Sequence, residues 1–200
     1  MKVMGWFVLP IVAACLSAVA LDARADGQVI EEVKTYAISG QSGAELYASI
    51  GQHGPKAGVS RAIALTNFKL TWSRNYQPSG GGCTLVSARP KLVLTYTLPK
   101  PAGKLPANLQ KRWDVFIEGV RRHEKVHGDI IKDMVATIEA TTIGLSVPND
   151  PKCQKIRKEI IMPLSAASNA QRQKSREFDR LELGNGGNVH QLILDLVNGG

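Results

Sequence analysis

Two kinds of hydrophobic rhythm divide the chain. From residue 28 to about residue 98 the apolar positions alternate. Val29, Ile30, Val33, Tyr36 and Ile38 predict a first strand over 28–39. Phe68, Leu70 and Trp72 recur with period two and predict a strand within 60–75. Leu92, Leu94, Tyr96 and Leu98 share one face of a strand over 84–98, with Val93, Thr95 and Thr97 on the other. A glycine-rich turn over 77–82 lies between these last two strands and predicts an antiparallel hairpin. One short helix is expected earlier, over Leu46, Tyr47 and Ile50, with Ser42 as its cap and Glu45 at the capping-box position. The segment from Gly51 to Gly58 breaks it. Beyond the proline-rich stretch Pro99–Pro106 the period changes. Trp113, Phe116, Val120, His123, His127, Ile130, Met134 and Ile138 step by three and four, the signature of one face of a long amphipathic helix over 107–143. Gly144 and Pro148 end it. A further helical segment starts near Pro151, is expected to break or kink at Pro163, and resumes to about Phe178. A loop over 184–188 precedes a short terminal helix, Val189 to Val197. The fold class predicted is α+β: a small antiparallel sheet of three or four strands packed on the long helix, with C-terminal helices.

The first residues follow neither rhythm. Met1-Lys2-Val3 is followed by an apolar run, Trp6 to Leu21, ending in Ala23-Arg24-Ala25. This has the form of a secretory signal peptide over 1–25, cleaved to leave a single domain over 26–200 that is periplasmic or secreted. Pro10 interrupts the run and argues against a retained anchor. Val12-Ala13-Ala14 before Cys15 resembles a lipoprotein cleavage site, a lesser alternative because only Trp6 to Ile11 would remain as its apolar core. Losing Lys2, Arg24 and Asp22 takes the net charge from +8 to +7. For an exported chain, a basic surface favours weak association with anionic wall or membrane groups, and nucleic acid is not an expected partner. Residues 152–176 carry seven Lys/Arg against Glu159 alone. Cys83 and Cys153 remain after cleavage. In an oxidising compartment they predict one disulfide, closing a loop of about 70 residues and worth roughly 4 kcal/mol in the chain-entropy account.

The candidate chemistry lies on the long helix, in His123-Glu124-Lys125-Val126-His127. Residues four apart on a helix share a face, so both imidazoles can meet one tetrahedral Zn²⁺. Glu124 is turned about 100° from His123. From there its carboxylate serves as general base towards a metal-activated water without itself becoming a ligand. A catalytic zinc takes a third protein ligand. The extended metzincin pattern would supply it as a histidine that follows a glycine shortly after His127, but Ile130 and Asp133 occupy those two places. Asp133 lies on the far side of the helix, and Glu139 is about 18 Å along its axis. The donor must come from another segment, with Asp179, Glu182, Glu177 and His190 as candidates.

These features together resemble the bacterial DUF922 family, described as predicted secreted Zn-dependent proteases. The resemblance covers most of the mature chain. It is carried by Tyr36 with Ser39-Gly40, Gly54-Pro55, Ala64 to Trp72, Cys83, Trp113, the HEKVH sequence, Cys153 and Phe178-Asp179. The family's C-terminal motif is similar to Tyr-Asp-x-x-Thr-x-His-Gly. Here Phe178 replaces the Tyr, Asp179 matches, and Glu182, Gly184 and Asn185 stand at the Thr, His and Gly. The resemblance thus implies Asp179 as third ligand, with Glu182 as a local substitute, and by analogy a zincin arrangement. The function expected is a zinc metallopeptidase acting on a protein or peptide. The alternative is a non-catalytic envelope protein that binds wall or membrane through its basic surface.

Overall fold

The computed structural model describes residues 27–199. The expected leader over residues 1–25, Cys15 included, lies outside them. In chain order the elements are β1 (Gln28–Ile38), α1 (Gly43–His53), β2 (Lys56–Ala57), β3 (Ser60–Arg61), β4 (Leu65–Ser79), β5 (Gly82–Pro101), α2 (Ala107–Thr142), β6 (Ser146–Val147), α3 (Ile156–Glu159), α4 (Ile161–Leu183) and α5 (Asn188–Asn198). The fold is α+β. Among the described residues, no helix is long and apolar enough to cross a membrane.

The main sheet has the order β1-β5-β4, with β6 paired to the start of β5. β4 and β5 form the expected antiparallel hairpin, turned at Gly80 and Gly81 with φ of 57° and 79°. Such left-handed angles favour glycine. The sheet is not wholly antiparallel, however. β1 runs parallel to β5 along its full length, from Gln28 opposite Lys91 to Ile38 opposite Pro101. α1 and the β2–β3 hairpin fill the connection from β1 to β4.

Placing β5 in the centre explains its alternation. Leu92, Leu94, Tyr96 and Leu98 are buried against the helices, while Val93, Thr95 and Thr97 are only half-buried on the opposite face. A bulge where Asn75 and Tyr76 face Ser87 and Leu85 puts Val86 out of register. It lets both Leu85 and Ala88, three residues apart, point inward. β5 also extends into the proline-rich stretch, because Pro99 and Pro101 lie beyond β4's first residue and pair on the β1 side alone.

α2 is one unbroken helix of 36 residues. Its N-terminal half packs with α1, α5 and Ile38 around Trp113, Phe116 and Val120. Its C-terminal half packs Ile131, Met134, Val135 and Ile138 on Leu92, Leu94 and Tyr96, and α4 adds Ala167. At α1, Ser42 accepts from the Glu45 backbone N–H at 3.2 Å, and the Glu45 carboxylate reaches back to the Gln41 N–H at 2.6 Å.

Pro163 falls in the first turn of α4, not within a helix that it interrupts. The break lies three residues earlier, after Glu159, whose carbonyl a proline ring at 163 would meet and whose helical hydrogen bond Pro163 cannot make. α4 then runs past Phe178 to Leu183.

Cys83 and Cys153 are disulfide-bonded, with Cα atoms 5.2 Å apart. The bridge sits in a small core with Leu85, Ala88, Ile156 and Ile160. Beside it, Asp150 accepts backbone N–H groups from Gln154 at 2.8 Å and Ile156 at 3.0 Å. Burial alone would raise its pKa, but these backbone hydrogen bonds outweigh it and hold the carboxyl below its usual range.

Replacing Cys83 and Cys153 together by Ala is expected to lower the unfolding free energy by about 2–4 kcal/mol. Urea denaturation measures this, and an unchanged midpoint would count against the bridge. Asp150 generates an acid-side prediction. A depressed folded pKa stabilises above the unfolded value near 3.9 and loses that contribution as pH falls further. Asp150→Asn should therefore be less stable than the parent at neutral pH, with the gap closing in acid. A constant gap across an acid titration of Tm would refute it.

Candidate metal centre

α2 presents His123 and His127 one turn apart on its inner stripe, and the last third of α4 crosses that stripe at the same height. The two rings and one carboxylate meet there. Nε2 of His127 is 2.8 Å from Oδ1 of Asp179, Nε2 of His123 is 3.2 Å from the same oxygen, and the two Nε2 atoms are 3.2 Å apart. Phe178 wedges the rings in place. It stacks on His123 with centroids 4.7 Å apart and meets His127 edge-on at 5.4 Å.

Three donors this close could hold a metal ion. A tetrahedral ion with bonds of 2.0–2.1 Å has ligand atoms about 3.3 Å apart. The observed triangle falls close to that spacing. Two imidazole nitrogens and one carboxylate oxygen also form a donor set of the kind a divalent transition ion takes.

The electrostatics of the cluster follow from the same contacts. Burial would raise the Asp179 carboxyl, but its hydrogen bonds to His123 and His127 prevail and keep it well below the usual carboxylate range. Burial likewise opposes a proton on His127, yet the Asp179 carboxylate raises that ring's pKa.

Glu124 is almost fully buried beside this cluster. Thr66 of β4 donates to its Oε2 at 2.6 Å and also lies 3.1 Å from its backbone carbonyl. Burial pushes the Glu124 carboxyl up, against the Thr66 hydrogen bond and the nearby histidines. A cleft of about 600 Å³ runs past all four groups, along Ser60 to Phe68 and against Gln171 and Ser175 of α4.

The other candidate ligands fall elsewhere. Glu182 approaches His123 from behind, with Oε2 3.9 Å from Nδ1 and therefore on the side of the ring away from the donor triangle. Glu177 is exposed. His190 lies in the first turn of α5, where its Nδ1 receives the Gly186 N–H at 3.3 Å. Lys125 points away from the cluster and pairs with Glu31 of β1 at 2.8 Å. Thr66 escaped the sequence reading, although its position carried a signal. It stands on the period-two row of Phe68, Leu70 and Trp72, opposite Tyr96, as a polar residue on an inward face.

What the fold and site define is an α+β protein with a His-His-Asp cluster flanked by a buried glutamate. The chain belongs to the DUF922 family, "Bacterial protein of unknown function", whose family model matches residues 33–187. No curated protein matches the chain, and no solved structure does.

Thr66→Val keeps the strand but strips Glu124 of this hydrogen bond. Leaving a buried carboxylate short of a partner is expected to lower stability by about 1–3 kcal/mol. Chemical denaturation tests this, and a change within about 0.5 kcal/mol, as for an ordinary surface substitution, would contradict it.

Proposed function

We propose that the chain is an exported zinc-dependent peptidase, with His123, His127 and Asp179 as metal ligands and Glu124 as general base. The observation that carries this is the arrival of the Asp179 carboxylate, 52 residues away in sequence from His127, at a distance suited to sharing one ion with both imidazoles. When bound, zinc supplies a Lewis acid that lowers the pKa of a coordinated water and polarises the scissile carbonyl.

Everything else falls to the chain. Glu124 projects from α2 next to the donors without being one of them. Its raised proton affinity fits a group that takes a proton from the attacking water and returns it to the leaving amine. Thr66 fixes the orientation of that carboxylate from the neighbouring strand. Phe178 holds the rings against rotation. β4 is an edge strand of the main sheet and forms one wall of the cleft. An extended peptide added along such an edge would bring its carbonyl to the centre, the arrangement of a zincin. The disulfide supports a location outside the cytoplasm.

Glu124→Gln should retain zinc at parent affinity and lower peptide hydrolysis by about 10²–10⁴-fold. Asp179→Ala and His127→Ala should lose both metal and activity, and Glu177→Ala and His190→Ala neither. Metal analysis of the purified variants, alongside peptide release from a mixed library, reads all of these together. If Asp179→Ala kept its zinc, Asp179 would leave the ligand set. Zinc bound without hydrolysis of any peptide would favour the non-catalytic envelope protein.

A further inference from the structure

A second cavity, of about 570 Å³, lies behind His123 between α2, the end of α4 and α5. Arg122, His123, Phe178, Glu182 and Asn188 are among the residues on its wall. His123 therefore separates two spaces. Its Nε2 belongs to the donor triangle. Its Nδ1 is buried and makes no hydrogen bond. A ring nitrogen in that position ordinarily has a partner, because the group on the far side of a ligating imidazole decides which tautomer it adopts.

Glu182 is placed to be that partner. Oε2 stands 3.9 Å from Nδ1, beyond hydrogen-bond range. A side-chain shift of about 1 Å would bring it to the 2.7–2.9 Å of a charge-assisted bond. The other oxygen is already fixed, since Asn188 Nδ2 donates to Oε1 at 2.6 Å. Asn188 is the first residue of α5, and the turn after α4 delivers it. Gly186 has φ of 82°. At Gly187 a Cβ would lie 2.2 Å from the Leu181 carbonyl oxygen and 2.4 Å from that of Glu182. Glycine there lets the start of α5 close onto the last turn of α4.

We propose that Glu182 is a positioning residue for the metal centre. Its carboxylate accepts the Nδ1–H of His123 and so fixes the tautomer that leaves the Nε2 lone pair facing His127 and Asp179, while Asn188 holds the carboxylate in place. Phe178, flat against the same ring, blocks tilting, and Glu182 sets the proton's place. The inference rests on the reading of the cluster as a metal centre and deepens it. It also gives Glu182 a part other than ligation.

The test compares zinc affinity, by chelator competition, for the parent protein and for Glu182→Ala, Glu182→Gln, Asn188→Ala and Glu177→Ala. It adds imidazole ¹⁵N spectra of the zinc-loaded proteins, which report the His123 Nδ1–H. Glu182→Ala should weaken zinc by about 10–100-fold, and the His123 Nδ1–H should lose the downfield shift and slow solvent exchange of a hydrogen-bonded proton. Glu182→Gln should restore much of both, because its amide oxygen still accepts the proton. Asn188→Ala should move both in the same direction by less, and Glu177→Ala should move neither. Parent affinity with an unchanged Nδ1–H signal in Glu182→Ala would overturn the proposal. So would metal loss as complete as in His127→Ala, which would make Glu182 a ligand. If the parent protein bound no zinc, the metal-centre reading would fall and this role with it, whereas zinc bound equally well by Glu182→Ala would overturn this role alone.

Discussion

The structure depends on covering one stripe of α2. That stripe runs the length of a 36-residue helix, and most of it is ordinary core, from Trp113 and Phe116 to Met134 and Ile138. Each such side chain contributes about 1.5–3 kcal/mol on leaving water. Midway the stripe turns polar, at His123, Glu124 and His127. Polar groups held in a core must find partners, or each weakens the fold. The sheet side answers with Thr66 and the helical side with Asp179. The same packing that buries the apolar ends of the stripe thus gathers the donors at its centre. Stability and site share one interface.

The remaining elements can be understood as supports for that interface. β5, paired with a strand on each side, gives α2 a flat wall of Leu92, Leu94 and Tyr96. α4 packs across the helix with only Ala167 fully buried. Its position therefore relies on its ends. At the N-terminal end, the break before Pro163 and the Cys83–Cys153 core anchor it to the sheet. At the C-terminal end, the glycine turn and α5 hold it. Phe178, Asp179 and Glu182 occupy that second end.

Much of this was legible in the residues, for identifiable reasons. A helix writes its period of 3.6 into the sequence, so α2 and the shared face of His123 and His127 could be read directly. Two cysteines beyond the expected leader left one pairing. Other features were not legible because they depend on neighbours. Alternation tells which way a side chain points but not which strand lies alongside, and so the parallel partnership of β1 with β5 went unseen in favour of an antiparallel sheet. Pro163 signals a disruption without saying whether it falls at the proline or at the carbonyl four residues before. Asp179 stood out through a family motif, whereas nothing local separates it from Glu182. Only the fold shows that one carboxylate meets the imidazoles at Nε2 and the other stands behind Nδ1.

The distance in sequence between the donors bears on when the centre can exist. His123 and His127 emerge from synthesis 52 to 56 residues before Asp179. Until the end of α4 has been made, the chain holds two imidazoles on a helix with no carboxylate to complete the triangle. The His-His-Asp cluster is therefore a late product of synthesis. A nascent chain, or one stalled before α4 is complete, lacks the cluster however well its first half has folded.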